Sequence, residues 1–148
     1  MSKAVKATVH FAGDDFFIGI TPSGHALALD THHERSNAPT PVELLLVALG
    51  SCTAVDVASI LAKKRQHVTK YIVEVSGERK DDHPRRFTSM NVRHVLTGTG
   101  ISDKAVSQAI ELSEEKYCSV AATLRPCVEI HSSYEIIEES VDMNQEQV

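Results

Sequence analysis

Cys52 and Cys118 lie 66 positions apart in unlike surroundings. Cys52 sits inside the apolar helical stretch Pro41-Val-Glu-Leu-Leu-Leu-Val-Ala-Leu-Gly-Ser-Cys-Thr-Ala-Val-Asp-Val-Ala-Ser-Ile60. Cys118 follows a polar helix, in Ser113-Glu-Glu-Lys-Tyr-Cys-Ser-Val-Ala-Ala122. Two thiols placed at helix ends or breaks can cycle between dithiol and disulfide, which is the chemistry of a redox catalyst. The attacking species must be a thiolate, so its pKa has to fall below the free value of about 8.5. Gly50-Ser51 is expected to kink the helix, making Ser51 a fresh cap and leaving Cys52 beside exposed N–H groups that favour the anion. Asp56, four residues on, shares the helical face of Cys52. A carboxylate there raises a thiol pKa unless a cation neutralises it. The plain reading of Asp56 is a buried carboxylate bonded to a neighbouring strand or held by an arginine. Cys127, at a strand entry after Pro126, reads as structural, although a third thiol leaves the count odd.

The elements that must position these groups follow from pattern. Lys3–Phe11 alternates, Gly13-Asp14-Asp15 signals a turn, Phe16–Ile20 is apolar and His25–Asp30 alternates again: three short strands. After a polar loop, Thr40-Pro41-Val42-Glu43 predicts a helix start, with Thr40 and Glu43 as a capping box and Pro41 in the first turn. The helix is apolar on all sides, so other elements must wrap it, until the cationic Lys63-Lys64-Arg65. Tyr71–Arg79 and Phe87–Leu96 predict two strands joined by a polar hairpin connection. Ser102 caps a helix to Tyr117 whose buried stripe is Val106, Ala109, Ile110 and Ser113. An apolar turn, Val120–Leu124, leads to a last strand, Cys127–Ile137. Strands, long helix, two strands, helix, strand is an α+β order.

At 148 residues, 42% of them hydrophobic, the chain has single-domain length and enough apolar content for a core. Its charge of −5 comes from an acidic end: Glu135, Glu138, Glu139, Asp142 and Glu146 meet no Lys or Arg from position 135 onward. The segment from about 138 to 148 is expected to be a solvated tail. No basic stripe argues for nucleic acid. The start alternates like a strand and lacks the apolar core of a signal peptide. Leu44–Ile60 is short for a membrane span and carries Gly50, Ser51, Asp56 and Ser59. A soluble, cytoplasmic protein is expected, where paired thiols are catalytic or metal-binding more often than structural. Eight histidines include His32-His33, but no Cys-x-x-Cys and no helical His pair predicts a metal site.

The run Thr40-Pro-Val-Glu-Leu-Leu-Leu with Gly50-Ser-Cys-Thr-Ala-Val-Asp-Val57, followed by Glu115-Lys-Tyr-Cys-Ser-Val-Ala121, resembles the OsmC/Ohr family of osmotically induced and organic-hydroperoxide-resistance proteins. The likeness extends over roughly residues 3 to 138, in element order as well as motifs, and is nearest the branch whose first motif reads Gly-Ser/Gly-Cys-Thr/Ser-x-x-Asp-Val. It implies an intertwined homodimer with sheets wrapped around long central helices, acting without metal or flavin. One cysteine attacks a peroxide oxygen and becomes a sulfenic acid. The second resolves it as a disulfide, and a dithiol reductant resets the pair.

Carried onto this chain, the resemblance implies Cys52 as nucleophile and Cys118 as resolving thiol; proton delivery to the leaving alkoxide is the alternative reading of Asp56. Hydroperoxide-reducing relatives carry a glutamate just after the motif proline, where this chain has Val42; Glu43 is one position displaced. It lies about 13 Å of helical rise from Cys52, so capping or holding an arginine are its two readings. Those relatives also place an arginine in the N-terminal strands, whereas the first here is Arg35, for which Arg125 is an alternative. The rival reading is a non-catalytic, redox-responsive or apolar-ligand-binding protein of the same fold.

Overall fold

The computed structural model describes residues 2–140. The chain divides between Leu45 and Leu46 into two compact units. The first is an antiparallel meander of β1 (Thr8–Gly13), β2 (Phe16–Ile20) and β3 (Ala26–Asp30). Asp14 and Asp15 both take positive φ, 50° and 60°, in the tight turn joining β1 to β2, a conformation aspartate tolerates better than most residues. Residues 3–7, expected to begin β1, are not in a strand.

Beyond β3 the loop is tied by one buried carboxylate. Asp30 accepts from the backbone N–H groups of His32 and Asn37, and from Arg35 Nε at 2.9 Å. Burial works against its charge, but Arg35 and the two N–H groups outweigh that and hold its pKa below the ordinary value. The unit ends on the first turn of α1 (Pro41–Lys63), where Glu43 accepts from Thr40 N at 2.7 Å and Thr40 Oγ1 from Glu43 N. This is the expected capping box.

α1 continues into the second unit as one unbroken helix. The kink expected at Gly50-Ser51 is absent: Ser51 Oγ bonds back to the Val47 and Ala48 carbonyls, which keeps the turn helical. No new helix N-terminus therefore forms within α1 at Cys52. The wrapping expected on all sides is also partial. Leu49, Gly50, Thr53, Val57 and Leu61 are buried at near-helical spacing, whereas Val47 and Val55 are exposed. α1 is long and apolar enough to cross a membrane, but this stripe packs into the core of the unit.

β4 (His67–Arg79) and β5 (Phe87–Thr99) pair antiparallel, and β6 (Glu129–Glu138) lies parallel to β5 on its other edge. A parallel pair needs a long crossover. Here it is α2 (Asp103–Leu112), a π-turn over Ser113–Tyr117, and the short helix α3 (Ser119–Leu124), which was expected only as an apolar turn. Central β5 turns Met90, Val92, His94 and Leu96 inward; Val57 and Leu61 of α1 and Val106, Ala109 and Ile110 of α2 complete the core with Leu96. On the exposed face Arg93 bridges Glu74 of β4 and Glu135 of β6. β6 reaches one residue into the expected tail, and the Glu139 N–H bonds Gly98 O at 2.8 Å; residues 141–148 of that tail lie outside the described residues.

Gly50 sets how closely α1 lies on β4. A Cβ there would meet Val75 Cγ2 at 2.9 Å, and valine has little rotamer freedom to retreat. Gly50→Val is expected to cost about 1–3 kcal/mol through overpacking, read as a lower midpoint in denaturant melts.

Candidate active site

α1 supplies Cys52, Thr53 and Asp56 from adjoining positions around one turn, and the crossover supplies Ser113 and Cys118. The sulfurs of Cys52 and Cys118 and a carboxylate oxygen of Asp56 all lie within 4.8 Å of one another. The fold of one chain is enough to bring the two thiols this close, where pairing of two copies was expected to be needed. All three cysteines are free; Cys127 is exposed and outside the cluster.

The π-turn is what aims Cys118. Its i→i+5 bond from Cys118 N to Ser113 O (2.8 Å) shifts the chain relative to the end of α2. Glu114, inside the turn, accepts a hydrogen bond from Ser132 of β6, anchoring the segment to the sheet. Cys118 then caps α3, its sulfur accepting from Ala121 N at 3.4 Å.

Ser113 is the polar hub, fully buried at the end of the α2 stripe. Its hydroxyl donates to Asp56 Oδ2 at 2.9 Å. A hydroxyl has one hydrogen, so the Thr53 hydroxyl, 3.1 Å away, must be the donor to Ser113. The result is a relay Thr53→Ser113→Asp56 that fixes the carboxylate beside the two sulfurs. Sequence reading expected Asp56 to bond a strand or an arginine, and gave Thr53 no role. The signal for Ser113 was a hydroxyl on an otherwise apolar helix stripe.

The two thiols are inequivalent. Cys118 is buried and Cys52 half-buried. Burial pushes the Cys118 thiol up to about 11, the Ala121 N–H offsets part of this, and Cys52 and Asp56 add to the rise. Cys118 is therefore protonated at neutral pH. The cavity at Cys118, between Leu49, Val92 and Ile130, is only about 10 Å³. A larger cleft of about 430 Å³ reaches the cluster at Asp56, walled by Val55, Ile60, Leu112 and Tyr117 with Lys63 and Lys64 at its edge.

The other two expected residues, Glu43 and Arg35, have their described partners within the first unit. Glu43 is committed to the α1 cap, its pKa held below the ordinary value by the Thr40 N–H and hydroxyl. Arg35 belongs to the first unit, where it pairs with Asp30 and Asp14 (2.6 Å) and stacks over Phe16. Arg125 is exposed just after α3, and His32 and His33 stack on each other in the loop before α1.

Comparison with known proteins identifies the family of this chain. The family model for OsmC-like protein covers residues 32–133, and the chain belongs to that family. Protein YhfA of Escherichia coli is 44% identical over 121 residues, spanning 82% of this chain and 90% of that protein. A hypothetical protein from Aquifex aeolicus is 32% identical, with a TM-score of 0.82 over 94% of this chain and 100% of the other. The organic hydroperoxide resistance protein OhrB of Bacillus subtilis shares the fold at 12% identity, with a TM-score of 0.60 over 90% of this chain and 98% of that one.

Proposed function

We propose that this protein reduces organic hydroperoxides through a two-cysteine cycle, as a soluble cytoplasmic homodimer serving oxidative-stress defence. The observation that carries the reading is the approach of Cys52 and Cys118 within 4.8 Å. The Cys52 thiolate attacks the peroxide oxygen and breaks the O–O bond, giving a sulfenic acid and an alkoxide that takes up a proton. In this reading Asp56, at the cleft wall, takes up the proton released as the Cys52 thiol ionises and returns it to the alkoxide. The Cys118 sulfur then displaces hydroxide from the Cys52 sulfenic acid, which leaves as water with the thiol proton, and a disulfide forms. An external dithiol restores both thiols and is itself oxidised. Val55, Ile60, Leu112 and Tyr117 on the cleft wall give an alkyl peroxide apolar contacts that hydrogen peroxide lacks. Glu43 and Arg35 contribute by holding the loop and helix start before the site.

The test compares hydroperoxide consumption with a dithiol reductant by the wild type, Cys52→Ser and Cys118→Ser, using cumene hydroperoxide and hydrogen peroxide. Loss of activity in Cys52→Ser with preference for the organic peroxide is expected. Equal rates in all three proteins end the proposal. The exhaustion of Arg35 by two aspartates favours one second reading, a redox-responsive protein that oxidises without turning over. A single stoichiometric oxidation with no sustained consumption in the wild type selects it.

A further inference from the structure

We infer that the reduced cluster of Cys52, Cys118 and Asp56 is a binding site for a borderline-soft divalent cation, zinc being the best fit. The donor set is two sulfurs and one carboxylate oxygen, all within 4.8 Å. Zinc takes S, N and O donors at about 2.0–2.3 Å in a tetrahedron, which puts donor atoms about 3.5–3.8 Å apart. Side-chain movements on the order of an ångström close the three donors onto such an ion. Cys52 and Asp56 stand at i and i+4 on the rigid α1, the spacing that lets two helical side chains share one ligand. Cys118 is held by the crossover, its sulfur accepting from the Ala121 N–H.

Two further features fit a metal rather than a bare thiol pair. Ligating carboxylates are held by outer hydrogen bonds that orient them, and Ser113, itself held by Thr53, does this for Asp56. Asp56, one of the three donors, also lines the 430 Å³ cleft, which gives an ion a path to the cluster from that side. Two thiolates with one carboxylate select zinc over magnesium or calcium, which prefer all-oxygen sites. Binding displaces the thiol protons to solvent. It requires both sulfurs reduced, so oxidation to a disulfide releases the ion.

The test uses reduced, metal-free full-length protein titrated with cobalt(II) as a spectroscopic probe, then with zinc(II) against a chromogenic chelator. One ion per chain, thiolate-to-cobalt charge-transfer absorption and tetrahedral d–d bands are expected. Ser113→Ala is expected to weaken zinc binding by about tenfold and Asp56→Asn by at least about tenfold. Treating the wild type with diamide, which takes two hydrogens from the dithiol, is expected to abolish binding without any substitution. Absence of the charge-transfer band overturns the inference. So does unchanged affinity after oxidation, or in a Cys52→Ser/Cys118→Ser protein whose circular dichroism melt matches the wild type. Because these readouts need no peroxide, a protein that binds zinc but consumes no peroxide sinks only the proposed activity, and the converse sinks only the metal site.

Discussion

Cys118→Ser is expected to lower sustained, dithiol-driven peroxide turnover by about a hundredfold or more while leaving the first oxidation of Cys52 intact, because a neighbouring thiol has an effective molarity far above any external dithiol. The two sulfurs occupy different surroundings. Cys118 is buried, protonated at neutral pH and beside a cavity of about 10 Å³, too small for a peroxide. Its practical partner is the Cys52 sulfur. In the variant the sulfenic acid on Cys52 persists after one equivalent of peroxide, and dimedone adds one label per chain. In the wild type dimedone labelling stays low because the disulfide forms first. Serine leaves the Ala121 N–H with an acceptor, so the cap of α3 survives. Rapid multiple turnover by Cys118→Ser, or dimedone labelling absent from both proteins, removes Cys118 from the resolving role.

Acidification from about pH 6.5 to pH 4 is expected to cost on the order of 2–3 kcal/mol of folding stability through His94 alone. His94 is wholly buried on β5; Nδ1 lies 2.6 Å from the Tyr71 hydroxyl, and Nε2 has no partner among the described residues. Burial pushes its pKa down to about 4, and raises the Tyr71 phenol above its ordinary value. The folded state holds the ring neutral while the unfolded chain binds a proton below about 6.5, so protons favour unfolding in that window. Stability from this source is full above pH 6.5, falls through the window, and levels off below the folded value. Denaturant melts at a series of pH values measure it, with His94→Phe expected to flatten the slope. An unchanged slope in that variant assigns the acid sensitivity elsewhere. Tyr71→Phe leaves Nδ1 unpaired as well and is expected to cost about 1–3 kcal/mol at neutral pH.

Much of the fold was legible. Thr40-Pro41-Val42-Glu43 predicts the start of α1, because a capping box satisfies N–H groups in any context. Phe16–Ile20 predicts β2 to the residue. Of the site, the shared face of Cys52 and Asp56 was legible from their i, i+4 spacing and the approach of Cys118 only through the family resemblance, while the supports were not legible. Gly50-Ser51 reads as a break, yet a serine hydroxyl can bond to the preceding turn as readily as cap a new one, and close packing on Val75 favours the straight helix. Six residues, Ser119–Leu124, are too few for a helical period to stand out from an apolar turn. The π-turn adds a residue to one helical turn without any compositional mark. His94 follows the inward alternation of β5, but its partner Tyr71 is on another strand, so neither residue alone announces the pair.

The crossover that carries Cys118 also determines what oxidation does to the chain as a polymer. Joining Cys52 to Cys118 encloses β4, β5 and α2 in one covalent ring, leaving the meander and the last strand as its two arms. A ring of that size removes much of the wandering open to a denatured chain, while the native state already holds its two ends side by side. In the proposed cycle, closing and opening this ring tightens and relaxes β4, β5 and α2 against unfolding.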